Sequence, residues 1–220
     1  RSKEIGFSYV YMSTNGTACN ETRLTRIIES GLDSIKFSIN AGDRATYKKI
    51  HGKDHFERVK RHVKFVSEYR RKENKALNLF ISCVECRENE DSLGLLRADL
   101  ESYVDDIHIL KAGNQMGQMP QYGRREELGK VCPLPFNRVH VSREGFLRVC
   151  CNDYQNALAV EDLNIVSLEQ AWHSRRFQEF RNRMLGGDIK GSMCFNCLHG
   201  AVEKVIPLNS SLAEDVMLTS

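Results

Sequence analysis

Short apolar runs alternate with stretches of helical periodicity through the first half of the chain. Ile5–Met12 reads as a buried strand, rich in aromatic and β-branched residues, and ends in the turn signal Ser13-Thr14-Asn15-Gly16. Asn20 is placed to cap a helix with Leu24, Ile27 and Ile28 on one face, which Gly31 ends. Ser34–Ile39 is the next strand, followed by a loop at Asn40–Gly42. Asp54 is placed to cap a long helix running to about Lys72, with Phe56, Val59, Val63, Val66 and Tyr69 as its apolar stripe. Leu77–Val84 is a third strand, Asp91–Tyr103 a helix with Leu95, Leu96 and Leu100 inward, and Ile107–Leu110 a fourth strand.

This β-α alternation predicts an α/β fold with a parallel sheet and right-handed crossovers. Ligand chemistry in such sheets gathers where the strands' carboxyl ends open. Here those ends are Thr14-Asn15-Gly16, Ser38-Ile39-Asn40, Cys83-Val84-Glu85-Cys86 and Lys111–Gln115, all small and polar. The glycine-rich stretch Ala112–Lys130 breaks the pattern and reads as a linker. Beyond it, Arg138–Ser142 and Phe146–Cys150 read as a hairpin about Arg143-Glu144-Gly145. Ser167 and Gln170 form a capping box opening a helix to about Leu185, which carries Leu168, Trp172, Phe177 and Phe180 and stops at Gly186-Gly187. A Cys-x-x-Cys turn follows, and the tail after Pro207 is polar and weakly patterned. The division falls into residues 1–120 and 121–220.

The chain has 220 residues, enough to bury a core without covalent staples. Its net charge of +3 implies no polyanionic partner. The basic face of the long helix, with Arg58, Lys60, Arg61, Lys64, Arg70 and Arg71, reads as solvated; no feature for reading nucleic acid accompanies it. No apolar run is long enough to span a membrane, and no secretion signal opens the chain. It begins at Arg1 inside a strand-like run, as a piece of a longer protein would. Eight cysteines without a secretion signal point to reduced thiols in a cytoplasmic setting, where close spacings favour metal over disulfide.

Four of those cysteines form the strongest chemical signal: Cys132, Cys150, Cys194 and Cys197. Two single cysteines and one Cys-x-x-Cys supply four thiolates to one centre, and local chemistry leaves Zn²⁺ and an iron–sulfur cluster both open. Cys150 is chosen over Cys151 because it keeps the four-residue spacing from the turn Gly145. Cys83 and Cys86 form a second Cys-x-x-Cys, the spacing of a thiol–disulfide pair, but Cys83 falls within an apolar strand and reads as core. Cys19 has no sequence partner, and His51 reads as structural.

Several stretches together resemble one family: Ser13-Thr14-Asn15-Gly16, the segment Gly31–Asn40, Tyr47–Gly52, Phe56-Glu57-Arg58-Val59, Cys132-Pro133 through Cys150-Cys151, Ser167–Trp172 and Cys194–Cys197. The chain resembles the C-terminal two thirds of a radical S-adenosylmethionine (radical SAM) enzyme with a SPASM/twitch domain. That implies the C-terminal part of a partial (β/α)6 TIM-like barrel, then a small α+β cluster-binding domain. It implies that Thr14, Asn15 and Ser38 help hold S-adenosylmethionine, and that Cys132, Cys150, Cys194 and Cys197 bind an auxiliary [4Fe-4S] cluster.

No cysteine follows Cys197, so the shorter, one-cluster type is implied. Asn40 stands where the family often has Asp. The family's Cys-x-x-x-Cys-x-x-Cys is absent, so S-adenosylmethionine cleavage belongs to a parent protein with a second [4Fe-4S] cluster. The implied activity is hydrogen abstraction by a 5′-deoxyadenosyl radical from a peptide or sugar-like small molecule. An external electron donor such as flavodoxin or ferredoxin is implied, with no nucleic acid and no membrane partner. The competing readings are a non-catalytic zinc- or cluster-binding interaction module and a thiol–disulfide oxidoreductase using Cys83 and Cys86.

Overall fold

In the computed structural model, which describes residues 1–119, 122 and 131–214, the chain divides into two compact units, Arg1–Ala112 and Gly113–Ser220. In the first, β1 (Tyr11–Thr14), β2 (Ser34–Ser38), β3 (Asn78–Glu85) and β4 (Asp106–Lys111) lie side by side in chain order, every pair parallel. Their connections carry α1 (Glu21–Glu29), α2 (Arg44–His51), α3 (Phe56–Lys72) and α4 (Leu93–Leu100).

Side chains alternate across each strand, so one sheet face is set by Ile35, Phe37, Leu79, Ile81 and Ile107. These join Leu24, Ile28, Val59, Val63, Val66, Leu96 and Leu100 of the helices in one buried cluster. Each full burial of such a side chain stabilises the unit by about 1.5–3 kcal/mol.

The Asn20 side chain accepts the Arg23 N–H, capping α1 as its position predicts. Four expectations need correction here. The first strand starts later, at Tyr11, because Tyr11 already pairs with Ser34, the first residue of β2, and earlier residues have no partner strand. Ile5, Phe7 and Tyr9 are exposed instead. Asp54 does not cap α3: it pairs with Arg44, and no side chain caps that helix. α2 is an addition to the expected elements; Asp43 caps it by accepting from Thr46, and Gly52 closes it at φ 70°. The α4 segment is shorter, flanked by 3-10 turns at Glu90–Ser92 and Glu101–Tyr103, and buries Leu93 rather than Leu95, which is 57% exposed.

The second unit begins within the stretch read as a linker; its residues 120, 121 and 123–130 lie outside the described ones. After α5 (Leu134–Asn137), a three-stranded antiparallel sheet forms from β5 (His140–Val141), β6 (Phe146–Arg148) and β7 (Ala159–Asp162). The hairpin turn is as expected, with Gly145 at φ 95°, but both strands are shorter and β7 is an addition. The expected long helix is two: α6 (Leu168–Trp172), with the Ser167/Gln170 capping box in place, and α7 (Arg175–Gly186). Ser174 divides them, because its hydroxyl caps α7 at the Phe177 N–H. α8 (Met193–His199) completes the unit. The tail is attached, since the Leu208 N–H donates to the Ala157 carbonyl. Leu147, Leu158, Phe177, Phe180, Met184 and Met193 form the core. Among the described residues, no helix is long and apolar enough to cross a membrane.

Candidate metal centre and sheet rim

Cys132, Cys150, Cys194 and Cys197 come from three separate segments and line one cavity of about 330 Å³. Cys194 and Cys197 lie on successive turns of α8, so they share a helix face. This Cys-x-x-Cys is helical rather than a turn, because Ser192, accepting from the Phe195 N–H, caps the segment. Cys132 stands one residue short of α5, with Pro133 between them, and Arg181 of α7 holds α5 through the Pro135 carbonyl.

Cys150 lies just past β6 in a loop tied by Asp153. That fully buried carboxylate accepts from the Ala157 and Leu158 N–H groups at 2.9 and 2.7 Å. Its burial raises its pKa, against the pull of those two N–H groups. Cys151 is exposed.

The walls are otherwise mostly apolar, with Met116, Val149 and Leu198 among them. Burial pushes the Cys150 thiol up to about 11, although the Asn152 N–H, 3.5 Å from its sulfur, pulls the other way. Burial raises Cys194 further, and the neighbouring thiols Cys150, Cys132 and Cys197 add to it. Four soft sulfur donors facing one apolar cavity suit a thiophilic, positively charged centre, whose binding displaces the thiol protons.

Tetrahedral Zn²⁺ would draw its sulfurs to within about 4 Å of each other. Among the described residues, no three Cys, His, Asp or Glu side chains are gathered to hold a single ion. An iron–sulfur cluster is larger and takes a more widely spaced set of thiolates.

Thr14 ends β1 and Ser38 ends β2, with Asn15 one residue beyond the paired register. Thr14 Oγ1 accepts from the Gly16 N–H, and Asn15 Oδ1 accepts from the N–H and hydroxyl of Thr17. Both side chains therefore shape the turn as well as the rim. Gly16 is buried at φ 70°, and its carbonyl accepts from His62 Nδ1 on α3 at 2.9 Å. Ser38 Oγ lies 3.3 Å from Ser82 Oγ.

Asn40 and the buried Asn89 tie the next two strand ends together. Asn40 accepts from the Val84 N–H, and Asn89 donates to the carbonyls of Asn40 and Val84. Cys83 is buried and its thiol is pushed to about 12 by that burial, with Cys86 and Glu85 adding to it. Burial also raises Cys86. All eight cysteines are free thiols. A redox pair needs an accessible, acidified thiol, so this pair is unsuited to disulfide exchange.

Sequence reasoning missed His62, Asn89, Asp153 and Arg181. Each is a polar residue whose role depends on a partner distant in sequence or on burial; only Asn89, just past a strand end, carried a local turn signal.

Residues 132–198 match the SPASM family, an iron-sulfur cluster-binding domain. An uncharacterised protein of Methanocaldococcus jannaschii is 29% identical, over 67% of this chain and 46% of its own length. A probable GTP 3',8-cyclase of Saccharolobus solfataricus is 27% identical, over 73% of this chain and 64% of its own. The chain thus spans about half to two thirds of these curated relatives. In fold, the chain is similar to the solved structure of a histidine-tagged anSMEcpe with bound AdoMet, at TM-score 0.52 and 10% identity, over 80% of this chain and 57% of the other.

Proposed function

As a member of the radical SAM proteins that carry a SPASM domain, this chain is, we propose, the ligand-bearing part of a radical SAM enzyme with one auxiliary [4Fe-4S] cluster. Cys132, Cys150, Cys194 and Cys197 would hold that cluster. The observation that carries this reading is their convergence, from three segments, on one apolar cavity of about 330 Å³. The match of residues 132–198 to an iron-sulfur cluster-binding domain favours a cluster over zinc.

When bound, S-adenosylmethionine and its own cluster supply a 5′-deoxyadenosyl radical for hydrogen abstraction, and the auxiliary cluster supplies an electron acceptor or a site that positions substrate. This chain's residues do the holding. Thr14, Asn15 and Ser38 at the sheet rim would contact S-adenosylmethionine. Asn40 and Asn89 keep the neighbouring strand ends in place beside them. The mostly apolar lining of the cysteine cavity would limit water around a bound cluster.

The substrate is a peptide or a small molecule. The relative named as a GTP 3',8-cyclase adds nucleotides to the peptides and sugar-like molecules expected from sequence. Reduced thiols fit a cytoplasmic protein fed by a flavodoxin or ferredoxin. Alanine at each of the four cysteines should abolish or sharply reduce iron and sulfide uptake in anaerobic reconstitution. Alanine at Cys151, or at Cys83 and Cys86 together, should leave uptake unchanged. Unchanged uptake in the four single variants would remove the reading.

A further inference from the structure

One face of the β1–β4 sheet is packed by helices; the other mixes the apolar Tyr11, Phe80, Val84 and Leu110 with polar and charged side chains. In β2, Ile35 and Phe37 face the helices and are fully buried, so alternation sends Lys36 and Ser38 to the opposite face. Register sets Lys36 beside Ser13 and Phe80, and Ser38 beside Ser82, which in turn pairs with His108. Contacts agree with that placement. The Ser38 and Ser82 hydroxyl oxygens are 3.3 Å apart, and the Phe80 ring meets the His108 imidazole edge-on at 5.4 Å between centroids. His108 Nε2 lies 3.5 Å from Asp106 Oδ2.

Lys36 is half-buried in an inner strand, and among the described residues no carboxylate lies within ion-pair distance of it. Other part-buried cations of this unit are matched: Lys60 and Lys64 meet Asp99, and Arg70 meets Asp105. Parallel strands are ordinarily apolar on both faces, and a part-buried charge without a partner is unfavourable. A cation left unmatched here is available to take its counter-charge from a ligand.

We propose that this face is the binding floor for a small anionic molecule bearing a carboxylate or phosphate. Lys36 neutralises the anion, and the Ser82 hydroxyl and His108 imidazole hydrogen-bond its polar part. The inference rests on the radical SAM reading of the sheet and gives that reading's substrate a charge.

The test is a titration of the 220-residue chain, labelled with ¹³C at lysine and histidine, followed by NMR at constant ionic strength. Pyrophosphate and malonate are the probes, and the tighter of the two names the anion class. Saturable shifts are expected at Lys36 and His108, with affinity roughly tenfold weaker in Lys36→Met, the loss expected for one charge-assisted contact. Lys36→Gln serves as a second variant of the same prediction, and His108→Gln should weaken both probes. No saturable shift, the same shift with chloride, or unchanged affinity in both Lys36 variants would overturn the proposal. A response to S-adenosylmethionine with none to either anion would assign Lys36 to the cofactor and overturn it equally. Iron and sulfide content of the same preparations tests the cluster separately, so either reading can fail alone.

Discussion

Arg181 donates from Nε to the Pro135 carbonyl at 2.8 Å, joining the middle of α7 to the helix that follows Cys132 and Pro133. A second bond, from Nη1 to the Trp172 carbonyl, has the same length. Arg181 is 7% exposed, and its guanidinium lies against the Trp172 and Phe177 rings, 4.1 and 3.7 Å from their centroids. One side chain thereby fixes where Cys132 sits relative to the core behind the cavity.

Removing that fork leaves two carbonyls without their charged donor. Arg181→Met should cost about 2–4 kcal/mol in chemical denaturation, from the lost hydrogen bonds and stacking. It should also lower iron retention after reconstitution. Arg181→Lys keeps the charge but not the planar fork, so it should restore only part of both. Stability and iron retention at the parent level in Arg181→Met would show that Pro135 is held by other means.

Gly16 holds the first rim turn against α3. A Cβ there would lie 2.9 Å from the Phe37 ring and 3.2 Å from Val59, and φ is 70°. Phe37 is fully buried and has no room to retreat. Gly16→Ala should therefore destabilise by about 2–4 kcal/mol, combining left-handed backbone strain with overpacking. The denaturant midpoint should fall at unchanged slope.

Acid should weaken the fold through two histidines. Burial lowers the pKa of His51, and burial with the Arg138 and Arg148 charges lowers that of His140. Both surroundings therefore favour neutral imidazole. Their contribution is present above the ordinary value of about 6.5 and is lost as pH falls through the depressed one. The melting temperature should drop as the pH falls below about 6.5, before most carboxylates begin to titrate. A double His51→Gln, His140→Gln protein should show a flatter limb over that interval.

Cys83 should resist alkylation by iodoacetamide at about pH 8 in the folded protein, since its thiol is raised to about 12 and buried. Mass spectrometry of the modified protein should find exposed Cys151 labelled and Cys83 not. Rapid labelling of Cys83 would return the redox reading to contention.

The parallel alternation was legible because each strand and each of its helices carries its own periodicity. The Asn20 cap and the Ser167/Gln170 box were legible because both act within one turn. β7 was not, since Ala159–Asp162 becomes a strand only by pairing with β6. Nor was α2, a short polar helix whose single fully buried residue is Tyr47. Ile5–Val10 misled in the opposite direction, as a strand-like composition without a partner to pair with. The four cysteines could be picked out by spacing, but not the cavity that they line. Its walls are set by the Asp153 loop, the Arg181 bridge and the helical form of Cys194–Cys197.

The most direct test is anaerobic reconstitution of the chain with iron and sulfide, followed by metal analysis and visible absorption. A brown protein holding about four irons and four sulfides per chain, lost when Cys132, Cys150, Cys194 or Cys197 is replaced, is the predicted result. A colourless protein that takes one tightly held Zn²⁺ at the same cysteines would contradict it.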